Sequence, residues 1–305
     1  MSISKANQIQ VHYYFSDTSH GFEALVRNEC EKELLNLYYE IAKSLDLKIL
    51  VQSEPPKEGG FIEIWKFLGD NGSQISLIVS VITLLISRIP VENKKLTQLQ
   101  IENLELDNEL KKAELKELHL KSLQEEDLNE ELIKKVVEYL AVNYKITWRR
   151  SNFYKKVSSY KRINKISTQR LYNDSPIGTD REVQRGQFYN FTLLTDDLPE
   201  TEPNEVKIDL ISPVLKPGKF YWKGFLNKDI INFEMLDNTF KTMIQNGEIP
   251  LNNKVVINTL LVQNRKIDED GHVKVTKYTV KLVIDYDIKG LTIITPEGQK
   301  YLDSK

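Results

Sequence analysis

The sequence predicts an α+β protein. Its expected parts are an N-terminal βαβ-like unit, a hydrophobic helix, a long coiled-coil helix and a C-terminal, mainly antiparallel β domain. A strand-helix-strand alternation opens the chain, and a charge-free apolar run followed by leucine-spaced charged residues fills its middle. From Val183 onward, short alternating apolar segments dominate. At 305 residues the chain is long enough for two cores and an extended element. The expected modules are residues 1–70, 71–90, 91–143, 144–182 and 183–305.

The opening segment, Gln10 to Phe15, is rich in β-branched and aromatic residues and reads as a strand. Asp17, Thr18 and Ser19 are good helix caps, and Phe22, Leu25, Val26, Leu34, Leu37, Tyr38, Ile41 and Leu45 recur at helical spacing. LKILVQ at 47–52 supplies a second strand, parallel to the first if the two share a sheet. After the turn cluster EPPKEGG, the segment FIEIWKFLG reads as a short amphipathic helix ending at Gly69.

From Asn71 to Ser87 there is no charged residue, and Arg88 and Pro90 close the run. An all-round apolar helix is either buried in protein or placed in a membrane. The dense apolar core of about a dozen residues is short of the roughly 20 that a span needs. Val79, Val81, Leu84 and Leu85, flanked by Arg88, Lys94 and Lys95, nevertheless define a membrane-inserting alternative.

Leu96, Leu99, Asn103, Leu106, Leu110, Ala113, Glu117 and Leu120 follow at heptad spacing, with Asn103 at an a-like position where a buried amide sets register. This seam predicts a homo-oligomer; the competing arrangement folds it back on a helix at 128–143. Between Glu138 and Asp174 there is no acid, whereas Lys145, Arg149, Arg150, Lys155, Lys156, Lys161, Arg162, Lys165 and Arg170 all lie there. Trp148, Phe153, Tyr154, Tyr160 and Tyr172 are interleaved, a mixture that suits phosphates and stacked bases. Trp148, Arg149, Arg150, Tyr154, Lys155, Lys156, Lys161, Arg162 and Lys165 are therefore the candidate contacts to a nucleic acid or nucleotide. The plainer reading sets these cations against the acidic coiled coil or the loop DDLPETEPNE.

In the C-terminal region, Asp237 and Gly247 bound a helix, and DEDG at 268–271 signals a hairpin. KFYWKGF presents Tyr221, Trp222 and Phe225, either to a core or to a ligand.

Reactive groups are sparse. His12, His20, His119 and His272 are scattered without ligand spacing, no phosphate loop occurs, and neither metal nor cofactor is expected. DEDG lacks the further oxygens of a calcium loop. SDTSH at 16–20 sits where a strand meets a helix N-terminus, a place that suits an anion, and helix capping explains it equally well. The single cysteine, Cys30, fits a reducing compartment, and cytoplasmic residence is the expectation. A net charge of −2 imposes no global attraction to polyanions.

A non-enzymatic, oligomeric binding and assembly protein accounts for these features best. One alternative is a membrane-acting effector using residues 75–89; in layout alone the chain resembles membrane-acting effectors of prokaryotic antiviral systems. The other is a hydrolase built on His12, Asp17 and His20.

Overall fold

Strand β1 (Gln8–Phe15) occupies the centre of a five-stranded sheet of order β2-β3-β1-β4-β5. Its partners are β2 (Leu50–Glu54), β3 (Phe61–Leu68), β4 (Ile163–Tyr172) and β5 (Ser175–Gln184), and every neighbouring pair is antiparallel. The structure, a computed structural model, describes residues 5–17, 21–55, 61–91, 118, 120–214, 220–250 and 255–305. The chain divides into two units, Met1–Thr195 and Asp196–Lys305.

Because β3 pairs antiparallel with both β1 and β2, the latter two run parallel with β3 between them. Helix α1 (Ala24–Ser44) links them, a βαβ unit split by an inserted strand. The expected helix FIEIWKFLG is therefore a strand. As an interior strand it buries both faces, Trp65 and Phe67 toward the helices and Ile62 and Ile64 against Leu171. That loss of alternation mimics a helical pattern, but β-branched and aromatic residues favour the strand. A second correction concerns α1, which begins at Ala24 after an uncapped Glu23. Asp17 does not cap it, and accepts from Arg162 Nε at 2.9 Å and Nη2 at 3.0 Å instead.

The charge-free run forms helix α2 (Gly72–Ser87), started by Asn71, whose side chain accepts from the backbone N–H of Ser73 and Gln74. Every residue from Ile75 to Ser87 except Leu84 is buried, and Leu84 packs against the same core. Val79, Val81 and Leu85 are fully enclosed by side chains of their own unit. No helix among the described residues is long and apolar enough to cross a membrane. Each Val, Leu or Ile buried here stabilises the unit by roughly 1.5–3 kcal/mol relative to exposure.

A helix buried at its C-terminus must find donors for its last carbonyls. Helix α4 (Tyr144–Ser159), preceded by α3 (Glu130–Ala141), supplies them. Arg150 Nη1 donates to Leu85 O at 2.9 Å and Ile89 O at 2.7 Å, and Tyr154 Oη donates to Ile86 O at 2.7 Å. Burial pulls the Arg150 guanidinium down to about 10, which leaves it cationic at pH 7.

Heptad positions Leu96, Leu99, Asn103, Leu106, Leu110, Ala113 and Glu117 lie outside the described residues. Leu120 is described. It opens a short 3-10 turn, Leu120–Ser122, and is buried in the core of its own unit with Leu123 and Leu128. Residues 183–195 also belong to the first unit. Val183 lies in β5, one residue before its end, and the 3-10 turn Arg185–Phe191 packs Phe188 and Phe191 against Tyr154.

The second unit is a β barrel. Strands β7 (Asn204–Ser212), β8 (Tyr221–Leu226) and β9 (Asp229–Met235) form a meander, followed by α5 (Asn238–Gln245), β10 (Val255–Ile267) and β11 (Val273–Ile288). β9 pairs parallel with β11, β11 antiparallel with β10, and β10 antiparallel with β7, which closes the ring β7-β8-β9-β11-β10. All pairings except β9 with β11 are antiparallel. This order, the parallel closure and the helix before the fourth strand are the connectivity of an OB-type barrel. The short strands β6 (Asp197–Leu198) and β12 (Leu291–Ile294) add to its edges, and α6 (Pro296–Asp303) ends the chain.

Asp237 joins helix to barrel: its Oδ1 accepts from Phe240 N–H at 2.9 Å and its Oδ2 from Val283 N–H at 2.9 Å. Gly224 lets β7 and β8 close, since a Cβ there would lie 2.5 Å from Ile208 Cγ2 and 3.0 Å from Asp209 O. The DEDG hairpin joins β10 to β11, its turn closed by Asp268 Oδ1 accepting from the N–H groups of Asp270 and His272.

Removing the Arg150 donors while keeping the aliphatic stem strands two carbonyls at the end of α2. Arg150→Met is expected to cost about 2–4 kcal/mol, read from urea unfolding of the first unit. A loss under about 1 kcal/mol would mean that other donors replace it.

Candidate nucleic-acid interface

The predicted basic segment does not form one surface. It is divided among α4, β4 and β5, and most of its cations meet partners within the first unit. Arg150 and Tyr154 are buried and hold the end of α2. Arg149 is buried, pairs with Glu33 Oε2 at 3.3 Å and lies over the Trp148 ring, itself buried, at 4.4 Å. Lys156 pairs with Glu29 at 2.9 Å, Arg162 with Asp17, and Lys165 with Glu182 while covering the Tyr14 ring at 3.9 Å. Lys161 is exposed in the turn before β4. Lys155 lines an open cleft of about 400 Å³ with Ser158, Arg185, Phe188, Tyr189 and Thr192. In that cleft Arg185 donates to the backbone carbonyls of Ser158, Tyr160 and Ile163. Among the described residues, the acids paired with these cations come from α1, β5 and the segment after β1.

His12 and the cysteine have equally local roles. His12 stacks on Tyr14 with ring centroids 3.8 Å apart, and burial pushes its imidazole below the ordinary value. Asp17 is held by Arg162, and His20 and His119 lie outside the described residues. Glu63 points from β3 into the helix-side core, where it accepts from Arg27 Nε at 3.0 Å and Tyr13 Oη at 3.3 Å. Burial holds its carboxyl above the usual range despite Arg27. Cys30, beside it, has its thiol pushed up to about 12 by burial first and by the nearby carboxylates second. A thiol so protonated is a poor nucleophile.

The exposed chemistry lies on the barrel. Along β8 the side chains alternate strictly: Trp222 and Gly224 face the interior, and Tyr221, Lys223 and Phe225 face out. Trp222 packs on Phe233 and Phe240 inside, as half of its motif's two readings required. Tyr221 is 58% exposed, Phe225 41% and the preceding Phe220 52%. Opposite them on β9, Tyr221 faces Glu234, Lys223 faces Asn232 and Phe225 faces Ile230, which is 56% exposed. Glu234 is bridged by Lys277 of β11, whereas Lys223 has no carboxylate partner among the described residues. Tyr221 and Phe225 are four residues apart, about 13 Å along a strand, with the cation midway between them.

Large exposed rings gathered on one face are informative in a way that scattered exposed leucines are not. Sequence reasoning singled out Tyr221 and Phe225 but passed over Lys223. A signal was present: from Leu210 to Lys228 the chain has lysines and no acid, with Phe220, Tyr221, Trp222 and Phe225 among them. No protein-family model, curated protein or solved structure matches the chain.

The raised carboxyl of Glu63 carries a pH signature. A group that binds its proton more tightly when folded stabilises the fold below its unfolded value and loses that contribution as pH rises through its folded value. Glu63→Gln keeps the neutral form at every pH. Its stability relative to the parent chain should therefore increase as pH rises from about 4 through the raised value. Chemical denaturation from acid to neutral pH measures this; a pH-independent difference would place Glu63 at its ordinary value.

Proposed function

We propose that this chain is a non-enzymatic binding protein that takes single-stranded nucleic acid on the β8–β9 face of its barrel. The observation that carries the reading is the outward row Tyr221, Lys223 and Phe225, two exposed rings with a cation between them that has no carboxylate partner among the described residues. Bases stack on such rings whatever their identity, each stack contributing about 1–3 kcal/mol, and a lysine between them meets the phosphate chain. Ring closure of the OB type supports the reading at the level of fold, since the face of the second and third strands is where such barrels hold oligonucleotides or oligosaccharides. Lys223 and the acid-free run around it favour the anionic polymer over a neutral sugar. Assembly through the heptad positions from Leu96 onward would multiply this contact along a strand, because linked sites bind with enhanced avidity.

Fluorescence anisotropy with a labelled oligothymidylate tests the site. The wild-type chain should bind with an affinity that falls steeply with salt. Tyr221→Ala with Phe225→Ala should weaken it by tenfold or more, and Lys223→Glu should lower both affinity and salt slope. All three positions are outward-facing, so the barrel should stay folded by circular dichroism. Unchanged affinity in these variants, or binding of an oligosaccharide in place of the oligonucleotide, defeats the proposal.

A further inference from the structure

Many cations of the first unit meet carboxylates, but three arginines have none paired with them among the described residues. Arg170 projects from β4 and Arg181 from β5, and Arg88 stands at the end of α2. Arg170 opposes Ile9, and Thr168 opposes Val11, so both lie on the helix-facing side of β4; Arg181 is the cross-strand neighbour of Thr168. Arg170 Nη1 donates to Ser80 Oγ of α2 at 3.0 Å, which ties the cluster to the helix. Arg170 and Arg181 are half-buried. The positive charges of Arg170 and Arg88 act on Arg181, whose guanidinium is lowered first by burial and then by these two neighbours.

No carboxylate is paired with any of the three among the described residues. The acids next to Arg181 in sequence face the other way: Glu182 pairs with Lys165, and the charge of Asp180 is felt by His12. The Arg181 side chain makes no hydrogen bond to any described residue. A second, independent feature points to the same place. Thr168, only 1% exposed, has a hydroxyl without a hydrogen-bond partner among the described residues, directly across the ladder from Arg181. Buried polar atoms are ordinarily satisfied, and half-buried like charges repel one another; both conditions are relieved by one bound anion.

We infer that Arg170, Arg181 and Arg88, with Ser80 and Thr168, form a binding site for a phosphoryl group. Guanidinium forks match tetrahedral oxyanions in two-point contacts, and a dianion balances most of three positive charges. The Ser80 hydroxyl accepts from Arg170 and keeps its own hydrogen to donate, as does the Thr168 hydroxyl. The site carries no aromatic ring among these residues, which suits a phosphoryl group without a stacked base. That phosphoryl group arrives either as free orthophosphate or as the terminal phosphate of a small phosphorylated metabolite.

Isothermal titration of the full chain with inorganic phosphate and, separately, glycerol 3-phosphate, at constant ionic strength in chloride, tests the inference. The wild type should bind at least one of them, and the tighter of the two identifies the source. Arg181→Gln and Arg170→Gln should each weaken binding at least tenfold. Without ligand, Arg181→Gln should melt no lower than the wild type, because it removes a cation from a repelling cluster. Should the glutamine variants fail to fold, Arg181→Lys, which keeps the charge and loses the fork, should still bind several-fold more weakly. Affinity for oligothymidylate should be unchanged in Arg181→Gln, which separates this site from the barrel face. The inference is overturned if the wild type binds neither ligand, if the variants keep wild-type affinity, or if Arg181→Gln melts markedly lower as a structural arginine would.

Discussion

The first unit depends on enclosing a helix that has no polar face. An α-helix such as α2, free of charge from Ile75 to Ile86 and with apolar residues around its whole circumference, has no orientation in which one side meets water without loss. It is therefore walled in by the sheet on one side and by α1, α3 and α4 on the others. That enclosure creates a second requirement at the helix C-terminus, where carbonyls removed from water need donors. Arg150 and Tyr154 meet it from one face of α4. Moving α2 into a bilayer would expose those same carbonyls again, so the interactions that make the helix look membrane-ready in sequence tie it to its own unit.

The same constraint explains why the positively charged segment is not a positively charged surface. Along α4, Ile146, Arg150, Phe153, Tyr154 and Val157 recur at helical spacing and are all buried. Arg150 stands inside the apolar stripe. A cation at a core position of an amphipathic pattern is a capping or pairing group far more readily than a ligand contact, because only a satisfied charge tolerates that burial. Charge counting along the sequence registers the arginine but not the stripe it belongs to.

This marks what was legible in the sequence. The outer shape of the elements was: the opening strand and helix, the apolar helix, the helix capped by Asp237 and stopped by Gly247, and the β10–β11 hairpin at DEDG all follow from local chemistry. FIEIWKFL was not, because insertion between two strands buries both its faces and erases the alternation that distinguishes strand from helix. Barrel closure was equally hidden, since the parallel pairing of β9 with β11 joins residues more than 40 positions apart and leaves no local trace. Of the candidate interface, Tyr221 and Phe225 were visible as residues, but their outward direction depended on the register that sends Trp222 inward. The arginine cluster was least legible of all. Arg88, Arg170 and Arg181 stand in three separate elements, and what distinguishes them from their paired neighbours is the absence of a carboxylate partner among the described residues.

Satisfied interactions are the rule in both units, and the places where they fail are informative for that reason. On the barrel, rings that elsewhere in the chain pack into cores stand exposed beside a lysine with no carboxylate partner among the described residues. In the first unit, guanidinium groups that elsewhere find carboxylates or carbonyls crowd one another beside an unanswered hydroxyl. The two departures differ in kind. Flat apolar rings with a single cation complement a chain of stacked bases, whose charge is spread along its backbone. Several cations without a ring complement charge concentrated in one small group. A single ligand chemistry does not satisfy both, so the two proposed sites make different demands, each set by which interactions the fold leaves unmet among the described residues.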